Sequence, residues 1–118
     1  MKLRFQGTFF YVNNHQILLS HPIYGLIELD DLVLVLIYGF SANQMETLPT
    51  NNVYAFNEKG EQVWQIEEPL QYSNGVVSYA DISLKKDGKI IVGSTKGDEY
   101  IVNIKDGSVE HIKGQRPW

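Results

Sequence analysis

The sequence predicts an all-β domain, an antiparallel meander of about ten strands. Apolar and β-branched residues occur in short runs separated by turns rich in Gly, Asn and Asp, which is the pattern of successive strands. No stretch shows a helical period of useful length. The hairpin-like segment that begins at Asn52 is followed by a second one of the same plan that begins at Asp98, so we expect a structural repeat.

The composition limits the classes of function. The 118 residues suffice for one domain, which we expect to span residues 1–118. Cysteine is absent, so disulfides, thiolate catalysis and Cys-based zinc sites are excluded. The formal charge is -4 at pH 7 and the Lys and Arg residues are not clustered, which argues against nucleic-acid binding.

The sequence also predicts a cytoplasmic protein without membrane contact. Polar residues interrupt the apolar N-terminal stretch before it reaches the length of a signal-peptide core. The apolar region from Ile17 to Phe40 contains Pro22, Glu28 and Asp30. This region is therefore too polar for a spanning segment of roughly twenty apolar residues.

The first 22 residues are expected to form an N-terminal hairpin. Leu3–Val12 is rich in Phe, Tyr and Val and predicts the first strand, and His15–Ser20 predicts its partner. Asn13 and Asn14 tolerate positive φ and therefore suit the turn between the two strands. A proline soon after the second strand ends it, because proline has no N–H to donate.

Residues 23–68 and residues 69–113 are each expected to form a four-stranded, blade-like unit. The predicted strands are Ile23–Leu29, Leu32–Tyr38, Asn52–Asn57 and Gln62–Ile66, and then Val76–Leu84, Lys89–Ser94, Asp98–Ile104 and Ser108–Lys113. The run Leu32–Ile37 is apolar at every position and predicts a central strand covered on both faces. Gly39–Asn51 is expected to be a surface loop, and residues 114–118 a tail. We predict that the two units pack as a sandwich or form an incomplete propeller.

The segment Tyr54–Trp64 resembles the repeat of pyrroloquinoline-quinone-type and WD-like β-propellers. In that repeat an Ala, an Asp or Asn, a Gly and a Trp mark the outer hairpin of each four-stranded blade. The matching places are occupied here by Ala55, Asn57, Gly60 and Trp64. In the second copy Asn103 and Gly107 match, and His111 stands where Trp is expected. The resemblance implies that these residues serve the turns and the packing of blade-like units. We also expect Trp64 to be mostly buried against the run Leu32–Ile37, and Gly60 and Gly107 to have positive φ.

The resemblance implies an architecture more than an activity, because such blades occur in enzymes, scaffolds and chaperone complexes alike. The quinone-dependent activity of the family is not implied, since two blades cannot form its cofactor funnel and its cysteine pair is absent. Some short stand-alone bacterial proteins of this blade-like type resemble immunity-type proteins encoded beside toxins. An inhibitor of a protein partner is therefore one expectation.

No motif of the sequence predicts catalysis, a cofactor or a metal site. Gly93–Gly97 has the residue types of a phosphate loop, but their order is wrong and no helix follows, so a hairpin turn is expected. Asp30–Asp31 is expected to be a solvated turn. His15 and His21 lie too far apart to share a metal, and His111 is expected to be a packed, hydrogen-bonded ring. The sequence therefore predicts a protein without enzymatic activity.

The charge-poor N-terminal half is the predicted interaction surface. Between residues 5 and 45 the formally charged residues are Glu28, Asp30 and Asp31. One small core cannot easily cover all the aromatic and aliphatic side chains of this region, and aromatic residues are preferred at interfaces. The candidate interface residues are Phe9, Phe10, Tyr11, Tyr24 and Phe40. The alternative interpretation is that these strands form only a buried central sheet.

Two functions remain open from the sequence. The first is a non-catalytic protein-interaction module that binds a protein partner or another copy of itself through the N-terminal half. The second is a small-ligand-binding or enzymatic domain with a concave site between the two sheets. Such a site would be lined by Tyr, His and carboxylate side chains.

Overall fold

Three antiparallel sheets and one short helix make up the computed structural model, which describes residues 1–113. The strands are β1 Leu3–Gln6, β2 Phe9–Val12, β3 His15–Leu18, β4 Ile23–Glu28, β5 Leu32–Ile37, β6 Val53–Asn57, β7 Gln62–Gln65, β8 Tyr79–Leu84, β9 Ile90–Ser94, β10 Glu99–Val102 and β11 Val109–Lys113. The helix α1 spans Ala42–Thr47. The predicted all-β class is confirmed, and the tail predicted at residues 114–118 lies outside the described residues.

Each sheet is a meander of strands that are consecutive in the sequence. The N-terminal sheet has the order β1-β2-β3, the central sheet the order β4-β5-β6-β7, and the C-terminal sheet runs in the same way from β8 to β11. The two predicted four-stranded units are thus the central and the C-terminal sheets. Their strand ends lie close to the predicted ones, except that β8 begins at Tyr79 instead of Val76.

The central sheet is buried on both faces. One buried cluster lies between the central and N-terminal sheets and contains Phe10, Val12, Leu19, Val33, Val35, Ile37, Leu48 and Phe56. A second lies between the central and C-terminal sheets and contains Leu34, Leu36, Val53, Ala55, Trp64, Ile66, Tyr79, Ile90, Val92, Tyr100 and Val102. Alternate side chains of a strand point to opposite faces, so β5 contributes to both clusters. The prediction that Leu32–Ile37 is a central strand covered on both sides is confirmed.

The N-terminal region forms three strands, so the prediction of a two-stranded hairpin is wrong. The expected single strand Leu3–Val12 reverses at Gly7, whose φ of 60° is in the left-handed region that glycine adopts without strain. As a result Gln6 pairs with Phe9 across a tight turn. The turn predicted at Asn13 and Asn14 is present, with positive φ at both residues.

A helix lies where the sequence predicted a surface loop. Ser41 caps α1, because its Oγ accepts a hydrogen bond from Gln44 N at 3.2 Å. In return Gln44 Oε1 accepts from Phe40 N at 2.7 Å, so the arrangement is a variant of the capping box in which the residue before the cap is the donor. The Ser-x-x-Gln spacing is the local signal for this helix, since six residues are too few to show a period. No described helix is long and apolar enough to cross a membrane.

Candidate functional site

The five predicted interface residues divide between the core and the surface. Phe10 is fully buried between the N-terminal and central sheets, so its assignment to the interface is wrong. Its burial follows from the alternation of β2, in which Phe9 and Tyr11 point away from the central sheet. Phe9, Tyr24 and Phe40 are 42%, 57% and 61% exposed, and Tyr11 is half-buried. Four of the five candidates therefore reach the surface.

Tyr24 and Phe40 form an exposed aromatic cluster together with Tyr38, which the sequence analysis did not select. The ring centres lie 5.4 Å apart for Tyr24 and Tyr38, 5.7 Å for Tyr24 and Phe40, and 6.5 Å for Tyr38 and Phe40. Tyr38 packs on the edge of the buried cluster beneath it, whereas the other two rings project into solvent. We call Tyr24, Tyr38 and Phe40 the aromatic triad.

Local backbone features position the aromatic triad. Tyr24 lies at a shift in the register of the β4–β5 pair, which is the kind of irregularity that re-aims a side chain at a sheet edge. Phe40 is fixed through its N–H, which donates to Oε1 of Gln44 in α1. The preceding Gly39 packs against the start of α1, and a Cβ there would lie 2.7 Å from Met45 N. The triad therefore depends on a helix that is closely packed against its own N-terminal loop.

His21 fastens α1 to the linker between β3 and β4. Its ring is buried, with Nε2 2.9 Å from both the carbonyl oxygen of Gln44 and Oγ1 of Thr47. Because a carbonyl can only accept, Nε2 is the donor to Gln44, and Nδ1 lies 2.8 Å from Ser20 Oγ. His21 is thus a satisfied structural histidine that holds the helix beside the triad.

The outer face of the N-terminal sheet carries the remaining candidates. Arg4 pairs with Tyr11 across β1 and β2, and its guanidinium carbon lies 4.1 Å from the centre of the Tyr11 ring. Phe9 pairs with Leu18, which is 69% exposed, on the same face. This face therefore joins a cation to aromatic and aliphatic side chains, and no described sheet covers it.

Trp64 is an internal packing residue. It is buried in the same cluster as Leu34 and Leu36, so its predicted burial against the run Leu32–Ile37 is confirmed. Its Nε1 donates to the carbonyl oxygen of Ile104 at 2.9 Å, and its ring lies against Gly107 in the turn between β10 and β11. Ala55, the partner of Trp64 on β6, is also fully buried. These repeat residues hold the central and C-terminal sheets together.

The other repeat residues shape the hairpin turns. Asn57 Oδ1 accepts two backbone N–H bonds within its own turn, at 3.0 Å each, and Asn103 Oδ1 accepts one at 3.0 Å. Gly60 and Gly107 have φ of 75° and 78°. The predicted positive φ at both glycines is confirmed, and these residues serve the fold.

A polar cluster at the C-terminal sheet centres on the buried carboxylate of Asp98. Tyr72 Oη donates to one of its oxygens at 2.5 Å, and His111 Nε2 lies 3.2 Å from the other. The His111 ring also contacts that of Tyr100, with centres 5.2 Å apart. His111 therefore has the hydrogen bond and the ring contact expected from the sequence, but its side chain is 40% exposed. No sequence signal joins these residues, because they come from three separate segments.

The Asp98 cluster helps to hold the loop between the central and C-terminal sheets in place. The hydrogen bond to Asp98 raises the pKa of Tyr72 to about 12, because it favours the protonated phenol. Through this bond the loop between the central and C-terminal sheets is attached to Asp98, which directly precedes β10. Burial raises the pKa of Tyr79, whose Oη donates to the carbonyl oxygen of Glu67 at 2.6 Å and holds the same loop. Tyr72, which lies in the loop, and Tyr79, the first residue of β8, therefore act as neutral hydrogen-bond donors that hold this loop.

The described residues offer little for a metal or a ligand between the sheets. Within residues 1–113 no group of three or more His, Cys, Asp or Glu is placed to hold a metal ion. The space between the central and C-terminal sheets, where the alternative function placed a concave site, is filled by the apolar cluster around Trp64. The surface features of the N-terminal half are therefore the better candidates for binding.

Comparison with known proteins gives one match. Residues 1–113 match the family described as Domain of unknown function (DUF7957). The chain belongs to this family. The DUF7957 match extends over all three sheets, and the family description assigns no activity. A search of curated proteins and a search of solved structures gave no match.

Proposed function

We propose that this member of the DUF7957 family is a non-catalytic protein-interaction module that binds a protein partner through its N-terminal half. The observation that carries the proposal is the aromatic triad. Two of its rings are more than half exposed, although apolar surface in water costs about 25 cal/mol per Å². A partner that covers the triad would recover this free energy, and aromatic residues are enriched in the cores of interfaces.

The adjacent carboxylates of Asp30 and Asp31 lie away from the triad. Asp30–Asp31 forms the turn between β4 and β5, and the triad lies at the other end of this strand pair. A strand of six residues separates the two ends by roughly 20 Å. The triad is therefore distant from these two carboxylates, and the neighbouring helix α1 carries one acidic residue, Glu46. Depletion of charge is typical of the centre of an interface.

The repeat residues support the same proposal by a different route. Trp64, Ala55 and Gly107 are used to pack one sheet on the next, so they are not available for a ligand. A partner would then bind to surface residues that do not take part in packing between the sheets. An immunity-like inhibitor, as the blade-like resemblance implies, is one form that such a module would take.

Site-specific photo-crosslinking in the native cell tests the proposal. A photoreactive phenylalanine analogue is placed at Phe40, and in a separate variant at Leu84, which is 49% exposed on the C-terminal sheet. We expect a discrete crosslinked protein from position 40 and none from position 84. A probe at Phe9, also in the N-terminal half, should capture the same protein in the natural chain, and the double variant Tyr24→Ser/Phe40→Ser with this probe should lose it.

Two results would contradict the proposal. One is that positions 40 and 84 crosslink the same protein in equal yield, which would indicate random collisions and no defined binding surface. The other is full retention of the crosslinked protein in the double variant with unchanged folding by circular dichroism. If the crosslinked protein is another copy of the chain, light scattering of the purified protein should show a dimer that the double variant lacks.

A further inference from the structure

We infer that the outer face of the N-terminal sheet contains a binding site for carboxylate groups, formed by Lys2, Arg4, Tyr11 and Asn14. These residues and Leu3 line a cleft of about 270 Å³. The inference rests on the proposed function in one respect: the source of the carboxylates is an acidic segment of the protein partner. The site is separate from the aromatic triad, so the two can be tested independently.

The cleft has two cations whose charges are not compensated by the part of the chain described here. Lys2 and Arg4 are exposed, and neither forms an ion pair within residues 1–113. Glu28 does not serve them, because its Oε2 is bound by the amino group of Met1 at 3.2 Å. Two exposed cations without an ion pair in the described residues can attract anionic groups to this face.

The geometry of Arg4 suits a carboxylate. Its guanidinium packs on the Tyr11 ring, with 4.1 Å between the guanidinium carbon and the ring centre. A contact of this kind uses the face of the guanidinium, so the N–H groups in its plane remain free to donate. Two parallel N–H donors bind the two oxygens of one carboxylate, and such charge-assisted bonds are about twice as strong as neutral ones.

The backbone around the cleft is held in place before a ligand arrives. Lys2 N donates to Asn13 Oδ1 at 2.7 Å, and Asn13 N donates to the carbonyl oxygen of Lys2 at 2.8 Å. Asn13 Nδ2 also donates to the carbonyl oxygen of Glu58, which ties this corner of the sheet to the central sheet. A site that is already ordered loses less conformational entropy on binding.

The surroundings favour an acidic peptide segment over a nucleic acid. Two cations are too few to follow a phosphate backbone, for which proteins use an extended track of Lys and Arg. The exposed pair Phe9 and Leu18 lies on the same face, two residues further along the strands, at roughly 7 Å. A segment that alternates acidic and apolar side chains would therefore contact both parts of the face.

The test is an NMR titration of the full chain, labelled with ¹⁵N, with acetyl-tetraglutamate amide as the probe. At about 20 mM salt we expect shifts at the amides of residues 2–4 and 11–14 and at Arg4 Nε. The variant Lys2→Met/Arg4→Met should weaken the affinity about tenfold. The matched control Lys85→Met/Lys86→Met removes two exposed cations from the β8–β9 turn and should weaken it less than twofold. Dispersed spectra of both variants verify their folding.

Several results would overturn the inference. Equal binding of the uncharged tetraglutamine peptide would exclude carboxylate recognition. Tighter binding of inorganic phosphate or of a short single-stranded oligodeoxynucleotide at the same residues would assign the site to phosphates instead. Equal losses in the two lysine-containing variants would show general attraction by surface charge. The triad variant Tyr24→Ser/Phe40→Ser should keep its affinity for tetraglutamate, so failure of the proposed function and failure of this inference can be distinguished.

Discussion

The N-terminal and C-terminal sheets pack on opposite faces of the same central sheet, but different interactions hold them there. On the C-terminal side the fully buried Asn52 donates from Nδ2 to the carbonyl oxygens of Ile37 and Tyr79, at 2.8 Å each. Its Oδ1 accepts from Tyr79 N at 2.9 Å. On the N-terminal side the buried contacts are apolar, as between the rings of Phe10 and Phe56, whose centres are 6.0 Å apart.

Because of this difference, we expect the C-terminal sheet to have a structural role and the N-terminal sheet to present binding surfaces. Buried hydrogen bonds are satisfied in one alignment only, so Asn52 specifies how the central and C-terminal sheets meet. Apolar packing depends on shape and area, and it leaves the polar and aromatic residues of the N-terminal sheet directed outward. The N-terminal half therefore presents the exposed surfaces to which we assign binding.

The largest expected effects come from removing the main aromatic side chain of each interface. Trp64→Ala and Phe10→Ala should each lower the free energy of unfolding by about 3–5 kcal/mol, because each leaves a cavity in a buried cluster. Urea unfolding measures both effects. The controls are the adjacent exposed residues, Val63→Ala and Phe9→Ala, each expected to change stability by less than about 1 kcal/mol. A shift below about 1 kcal/mol for Trp64→Ala would refute its packing role.

A smaller effect separates the strain of a turn from the contact between sheets. Gly107 and Gly88 both have positive φ, of 78° and 87°. A Cβ at Gly88 meets no atom within 4 Å, so Gly88→Ala should cost only backbone strain, about 1 kcal/mol. A Cβ at Gly107 would lie 2.5 Å from Trp64 Cε3, so Gly107→Ala should cost about 2–4 kcal/mol. Equal losses in the two variants would show that the Trp64 contact contributes little.

Much of the fold follows from local sequence signals. The apolar run Leu32–Ile37 indicates a doubly covered strand without knowledge of what covers it, because each face of the strand is apolar. The turns at Gly60 and Gly107 are equally local, since glycine adopts positive φ without strain. The reversal at Gly7 escaped prediction because aromatic residues with high strand propensity continue on both sides of it.

The candidate site is less predictable because it depends on contacts between distant segments. Phe9 and Phe10 have the same side chain, but Phe9 is exposed and Phe10 is buried, because the central sheet covers only the face of β2 that carries Phe10. Tyr38 joins the triad through the β4 register shift and the position of α1, neither of which its neighbours in sequence reveal. Asp98 meets Tyr72 across 26 residues, a distance at which the sequence carries no pairing signal.

The smallest expected effect concerns the hydrogen bond between Tyr72 and Asp98 at the C-terminal sheet. The folded protein keeps the Tyr72 proton up to about pH 12, whereas the unfolded chain releases it near pH 10.0. The contribution of this bond to stability is therefore fully present below pH 10 and is lost as the pH rises through 12. In urea unfolding from about pH 8 to about pH 11, Tyr72→Phe should lose less stability with pH than the natural chain. Val76→Ala in the same loop removes no titrating group and should retain the full slope. Identical slopes for all three proteins would mean that Tyr72 does not bind Asp98 in solution.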